Sequence, residues 1–193
     1  MKETMLFFGS DDAGELVTAD EFAAARFEEP FQYERVRGRL VVMSPAGPEH
    51  RKVSRPIRRA LGGYWERHPE FIDDVDVEGW VATSEEDDRI PDICVYLRGA
   101  SSEQTVPRRV PDLIFEFVSE SRADQERDYI DKRAEYFTIG VREYVIVDRF
   151  KCQALILTRQ ATDYAEQRLT ADDCYTSTLL PGLSLALAEC FSP

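Results

Sequence analysis

The sequence predicts an α/β domain with a mixed central β-sheet flanked by helices, and three stretches carry that prediction. Residues 112–119, DLIFEFVS, form a nearly continuous apolar run of the kind found in a central strand buried on both faces. Residues 123–139 have the length and spacing of a helix stopped by Gly140, and REYVIVD at 142–148 resumes as a second buried strand. Together they read as a β-α-β unit. Residues 71–97 alternate, FIDDVDVEGWVATS and then DICVYL, around the polar segment SEEDDRIP, which predicts two antiparallel strands joined through a turn.

The other elements follow in chain order. Residues 1–17 read as an amino-terminal tail, and 18–193 as a single domain, since 193 residues suffice for one full core and are few for two. TADEFAAARF opens on a Thr-x-x-Glu box that satisfies free helix-start amides, so a short helix is expected at 18–27. FQYERVRGRLVVMSP places two β-favouring runs around Arg37-Gly38-Arg39, a hairpin ended by Pro45 and Pro48. Residues 48–67 carry Val53, Ile57, Ala60, Leu61, Tyr64 and Trp65 at helical spacing; Pro56 marks either a kink or a later start. CQALILTRQ, DYAEQRLT and CYTSTLLPGLSLALAECF read as short strands with a helical or extended carboxy-terminal end.

Composition narrows the function. No apolar run approaches the roughly 20 residues needed to cross a bilayer, and the amino terminus lacks a secretory apolar region, so the expectation is a soluble, cytoplasmic chain with no membrane partner. Cys94, Cys152, Cys174 and Cys190 form no CxxC pair, which argues against a zinc ribbon or a redox dithiol. With only His50 and His68 present, three-histidine centres are excluded and oxygen ligands favour magnesium, manganese or calcium. The absence of a G-x-S-x-G elbow argues against a serine hydrolase. A net charge of −13 counts against a broad electrostatic grip on nucleic acid. Residues 50–59 nevertheless gather five Lys and Arg, so Arg51, Lys52 and Arg55 are candidates for a local nucleic-acid-binding face, the alternative being a solvated helix surface.

Two placements bear on chemistry. Glu116 sits amid Leu113, Ile114, Phe115, Phe117 and Val118, and an unpaired carboxylate there is too costly to be incidental. Strand alternation puts Ile114, Glu116 and Val118 on one face, where Glu116 meets either a basic side chain or a metal ion. On the following helix Asp128, Lys132 and Tyr136 recur at intervals of four, which is either an ordinary surface ion pair or a face turned back over the carboxylates.

These segments resemble the Uma-two family of endonucleases in the PD-(D/E)XK restriction-endonuclease-like superfamily, over about residues 18–191. The resemblance is carried by LVVMSPAGPEH, Pro91-Asp92, PDLIFEFVSES, Asp128-x-x-x-Lys132-x-x-x-Tyr136, GVREYVIVD and STLLPGLSLALAECF, in that order. It implies a restriction-endonuclease-like core and metal-dependent hydrolysis of nucleic acid, with DNA the expected substrate and magnesium or manganese the cofactor. By the same resemblance Asp92 is the metal-bridging aspartate, Glu116 the second ligand and the Phe117 carbonyl a candidate third. Val118 stands where the superfamily has its lysine, and Lys132 matches the family's displaced lysine on the next helix. Glu120 replaces a proline common in the family. Glu49 resembles the superfamily's extra carboxylate, while as a helix-start residue it also suits the helix dipole. Glu49, Asp128 and Tyr136 are therefore candidate additional site residues. A homodimer is compatible with two sites cutting two strands. The alternative is a non-catalytic nucleic-acid or protein-interaction domain that keeps the fold.

Overall fold

In the computed structural model, which describes residues 6–99, 108–120 and 126–191, a six-stranded sheet lies beside a four-stranded one, with two further strand pairs. The elements in order are β1 (Phe7–Phe8), α1 (Ala19–Ala24), β2 (Arg26–Phe27), β3 (Gln32–Val36), β4 (Arg39–Met43) and α2 (Pro48–Arg67). Next come β5 (Ile72–Val77), β6 (Val81–Ala82), β7 (Asp88–Arg89), β8 (Ile93–Leu97) and β9 (Leu113–Phe117). A π-helical turn, Arg127–Asp131, leads into α3 (Lys132–Ile139). β10 (Glu143–Asp148), β11 (Gln153–Arg159), β12 (Tyr164–Thr170), β13 (Cys174–Thr176), β14 (Ser184–Ala186) and α4 (Ala188–Phe191) complete the chain.

The large sheet has the order β12-β11-β10-β9-β8-β5, with β9 and β10 parallel and every other neighbour antiparallel. The β9-α3-β10 unit is thus the predicted β-α-β crossover. Gly140 ends α3 in the left-handed conformation, φ 109°, and its N–H reaches back to the Tyr136 carbonyl. The first residues of the predicted helix, 123–125, lie outside the described residues. Side chains of β9 alternate faces. Leu113, Phe115 and Phe117 pack with Val53, Ile57, Leu61 and Tyr64 of α2, while Ile114 and Val118 pack with Tyr136 of α3 and Tyr144 of β10. The sheet is therefore covered on both faces, as a central apolar strand requires.

The β3-β4 hairpin turns through Arg37 and Gly38, both at positive φ (52° and 70°), the geometry that matches the right-handed strand twist. Two expectations are corrected. Pro56 does not mark a later start of α2, which begins with Pro48 in its first turn and runs on to Arg67 with Pro56 buried inside it. SEEDDRIP is only partly a turn, since Asp88 and Arg89 form β7, pair with β3 and are buried. Their charges are tolerated because β3 supplies partners: Arg35 Nε lies 2.7 Å from Asp88 Oδ2, and Arg89 Nη1 lies 3.1 Å from Glu34 Oε2.

The first stretch, read as a tail, pairs β1 with β2 and buries Phe8 and Val17 beside Phe22, Tyr33 and Leu40. The carboxy-terminal end forms the β13-β14 pair and α4, and places Leu183, Leu185, Leu187 and Cys190 in the core beneath α2. Tyr64 there donates to the Pro181 carbonyl at 3.1 Å. No helix among the described residues is long and apolar enough to cross a membrane.

Candidate active site

The β8-β9 register pairs Ile93 with Phe115, so Asp92, one residue before β8, falls opposite Glu116. Two carboxylates from neighbouring strands thereby reach the same end of the sheet. The Phe117 N–H donates to Asp92 Oδ2 at 2.7 Å, which ties the Asp92 side chain to β9. Both carboxylates line a cavity of about 800 Å³, whose walls include the start of α2, the end of β4 and the π-turn before α3.

Lys132 extends from α3 into this site. Its Nζ lies 2.7 Å from Glu116 Oε1, 3.4 Å from Asp128 Oδ1 and 3.8 Å from Glu34 Oε1. The Tyr136 hydroxyl donates to the same Glu116 oxygen at 2.9 Å. Asp128, Lys132 and Tyr136 thus share a helix face, and all three are buried. An exposed i,i+4 pair is ruled out by that burial. Glu116 meets a basic side chain, Lys132, and also lines the cavity.

Electrostatics follow from burial. Desolvation pushes the Glu116 carboxyl well above its usual range, Asp92 and Asp128 push the same way, and Lys132 opposes them. Asp128 is raised for the same first reason, again against Lys132. The Lys132 ammonium is buried, which disfavours its charge, yet Glu116, Glu34 and Asp128 outweigh this and hold it protonated. Glu34 is also buried, but Lys132 and Arg89 prevail and keep it ionised. Arg89 in turn grips Glu135, with Nε 2.7 Å from Oε2, so the charge network extends from β3 through β7 to α3.

Sequence reasoning missed three members of this arrangement. Glu34 and Arg89 lie on strands of the smaller sheet and meet the site only through packing. His50 lies 3.0 Å from Asp92 Oδ1 through Nε2, and its ring meets Phe117 edge-on at 5.4 Å. A signal for His50 existed, because it precedes Val53 and Ile57 by three and seven residues and so lies on the apolar stripe of α2. Burial lowers its pKa, but the bond to Asp92 and the charges of Asp92 and Glu78 raise it further, for a net upward shift.

The other predicted residues lie around this centre. Glu49 is exposed in the first turn of α2 and lines the cavity. Arg51 and Arg55 are exposed on α2, Lys52 is half-buried, and none of the three is in the cavity wall. The second Pro-Asp, at Asp112, sits at the opposite end of the strands. There it accepts from Leu97 N at 2.9 Å and from Arg142 at 3.2 Å, a structural role.

The donor set fits a hard divalent cation in part. Glu116 takes both of its hydrogen bonds on Oε1, so among the described residues Oε2 accepts none. Among the described residues each Asp92 oxygen accepts one bond, which leaves it a further lone pair. Two carboxylates suffice for magnesium or manganese when water and substrate phosphate fill the remaining positions. Among the described residues no group of three or more His, Cys, Asp or Glu side chains is placed to hold a metal ion, so any such ion would rest on these two carboxylates.

A six-stranded mixed sheet covered by helices, with paired carboxylates and a lysine at one end of its central strands, defines a restriction-endonuclease-like α/β domain. The chain belongs to the Uma2 family, described as "Putative restriction endonuclease", whose model matches residues 19–188. In fold it is similar to the crystal structure of a "putative nuclease belonging to DUF820" from Anabaena variabilis, with a TM-score of 0.73 and 17% identity. That match covers 91% of this chain and 98% of the other. No curated protein matches the chain.

Proposed function

We propose that this chain is a metal-dependent endonuclease that hydrolyses phosphodiester bonds of nucleic acid, with DNA as its substrate and Asp92, Glu116 and Lys132 as its catalytic residues. The observation that carries the proposal is the convergence of Asp92 and Glu116 on one cavity, with Lys132 2.7 Å from Glu116. Asp92 and Glu116 would hold a magnesium or manganese ion, with the Phe117 carbonyl as a further oxygen donor. When bound, such an ion supplies positive charge to the attacked phosphate and acidity to water beside it.

The chain's own residues do the rest. Lys132 keeps its charge despite burial and lines the cavity, so it stabilises the negative charge that develops on the phosphoryl oxygens. Asp128 and Tyr136 are positioning residues, the first for the ammonium and the second for the Glu116 carboxylate. His50 positions Asp92. Glu49 offers a third carboxylate at the mouth, and Arg51, Lys52 and Arg55 offer phosphate contacts along α2 beyond it. Two copies would present two such sites to a duplex.

The test is cleavage of supercoiled, linear and single-stranded DNA and of RNA with magnesium or manganese, comparing the native chain with Asp92→Ala and Glu116→Gln. Metal-dependent cleavage lost in both variants is the expected result, and full cleavage by Asp92→Ala overturns the assignment. A second reading, a non-catalytic binding domain, is favoured by one observation: Lys132 already compensates Glu116. It predicts no cleavage of any substrate and binding that survives chelation.

A further inference from the structure

We infer that the β10–β11 turn is the nucleic-acid contact of this cleft, with Arg149 taking a backbone phosphate at its mouth and Phe150 stacking on an unpaired base. The inference rests on the nuclease reading above and names its substrate more closely: a strand with at least one unstacked nucleotide beside the attacked phosphate.

Charge selects the turn. A chain of net charge −13 needs local cations wherever phosphate approaches, and the cavity wall contains Arg127, Lys132 and Arg149. Lys132 is committed to three carboxylates. Arg149 is different, because among the described residues no carboxylate lies within ion-pair distance of it. Its guanidinium instead sits 4.4 Å from the centroid of the Phe150 ring. It lines the same cavity as His50 and Asp92.

Exposure and rigidity complete the case. Phe150 is 47% exposed, so part of the ring stays open to solvent beside the Arg149 guanidinium. The turn that presents it is held firmly. Asp148 Oδ1 accepts from the N–H groups of Phe150 and Lys151 at 3.0 and 3.1 Å, and Tyr129 donates to Oδ2 at 2.9 Å. Lys151 closes the turn through Asp148 Oδ2 at 2.9 Å and lies 4.8 Å from the Tyr129 ring centroid. A cation in the cleft mouth, backed by an exposed aromatic on a braced turn, is the combination that grips single strands, since every base offers a π-face. Ordering costs little when the groups are already placed.

The experiment measures fluorescence anisotropy of the full chain, in a chelator that prevents cleavage, with a short single-stranded DNA and with a duplex. A strand carrying a fluorescent adenine analogue reports stacking directly. Phe150→Ala should weaken single-strand binding by about tenfold or more, restore the analogue's fluorescence and leave duplex binding nearly unchanged. Arg149→Ala should weaken both substrates and lower the salt dependence of binding by about one phosphate contact. Unchanged single-strand affinity and quenching in Phe150→Ala overturn the inference while leaving the nuclease reading intact. A native chain that neither binds nor cleaves any nucleic acid overturns both. If Phe150→Ala instead halves the mass in solution and leaves nucleic-acid binding unaltered, the ring is a contact between copies and the inference fails.

Discussion

Replacing Lys132 with Met removes the ammonium 2.7 Å from Glu116 and leaves the contact of that buried carboxylate with the Tyr136 hydroxyl. At 2.7 Å the attraction between the two charges is about 6 kcal/mol for an effective dielectric of about 20, before the desolvation of both ions is set against it. Breaking a buried pair from one side costs about 3–5 kcal/mol, because the surviving charge is stranded. Asp128 loses the same partner, and Glu34 retains Arg89. Against a total stability of about 5–15 kcal/mol, the variant is marginal.

Its pH dependence has a definite sign. The folded-state pKa of Glu116 already lies above its ordinary 4.5 and rises further without Lys132. Above pH 4.5 the native variant therefore holds a proton that the unfolded chain has released. Stability then falls as pH rises towards the folded value, by about 1.4 kcal/mol per pH unit for one proton. Urea unfolding followed by tryptophan fluorescence, at mildly acidic and mildly alkaline pH, should show the larger loss on the alkaline side. Adding Glu116→Gln should recover most of that loss, since a neutral amide needs no counter-ion. A loss below about 1 kcal/mol at both pH values, the magnitude of an exposed pair, would refute the reasoning.

Histidine titration followed by NMR has only His50 and His68 to resolve, and His50 should titrate above 6.5 in the native chain and lower in Asp92→Asn. With its folded pKa raised, His50 stabilises the fold fully below pH 6.5 and less as pH rises through the folded value; a His50 pKa at or below 6.5 contradicts the Asp92 contact. The two Pro-Asp pairs should separate by calorimetry. Asp112→Ala should cost about 1–3 kcal/mol of stability and leave magnesium binding intact, whereas Asp92→Asn should abolish binding and Asp112 is misassigned if the pattern is reversed.

Much of this molecule is written in neighbouring residues. The β9-α3-β10 crossover follows from an apolar run, a helical period and a stopping glycine, each confined to one stretch. The β3-β4 turn follows from Gly38 and the β-favouring runs around it. The burial of Glu116 was legible for the same reason: a carboxylate inside a central strand demands a partner wherever it comes from. Lys132 was legible only as a candidate, because helical spacing shows which side chains share a face but not which way the face looks.

Which partner answers which charge was decided by tertiary packing. Glu34, Arg89, Glu116 and Lys132 come from four separate segments, and no local pattern ties them together. Asp88 and Arg89 looked like turn residues because their burial is tolerable only once β3 brings Arg35 and Glu34 alongside. His50 carried a periodicity signal, yet its role needed Asp92 to arrive from β8. The opening stretch gave no sign that Phe8 and Val17 would pack beside Tyr33. Secondary structure and the cost of burying a charge depend on a residue and its near neighbours, so the sequence alone determined them. The network that compensates those charges depends on distances between segments far apart in the chain, and these exist only after folding.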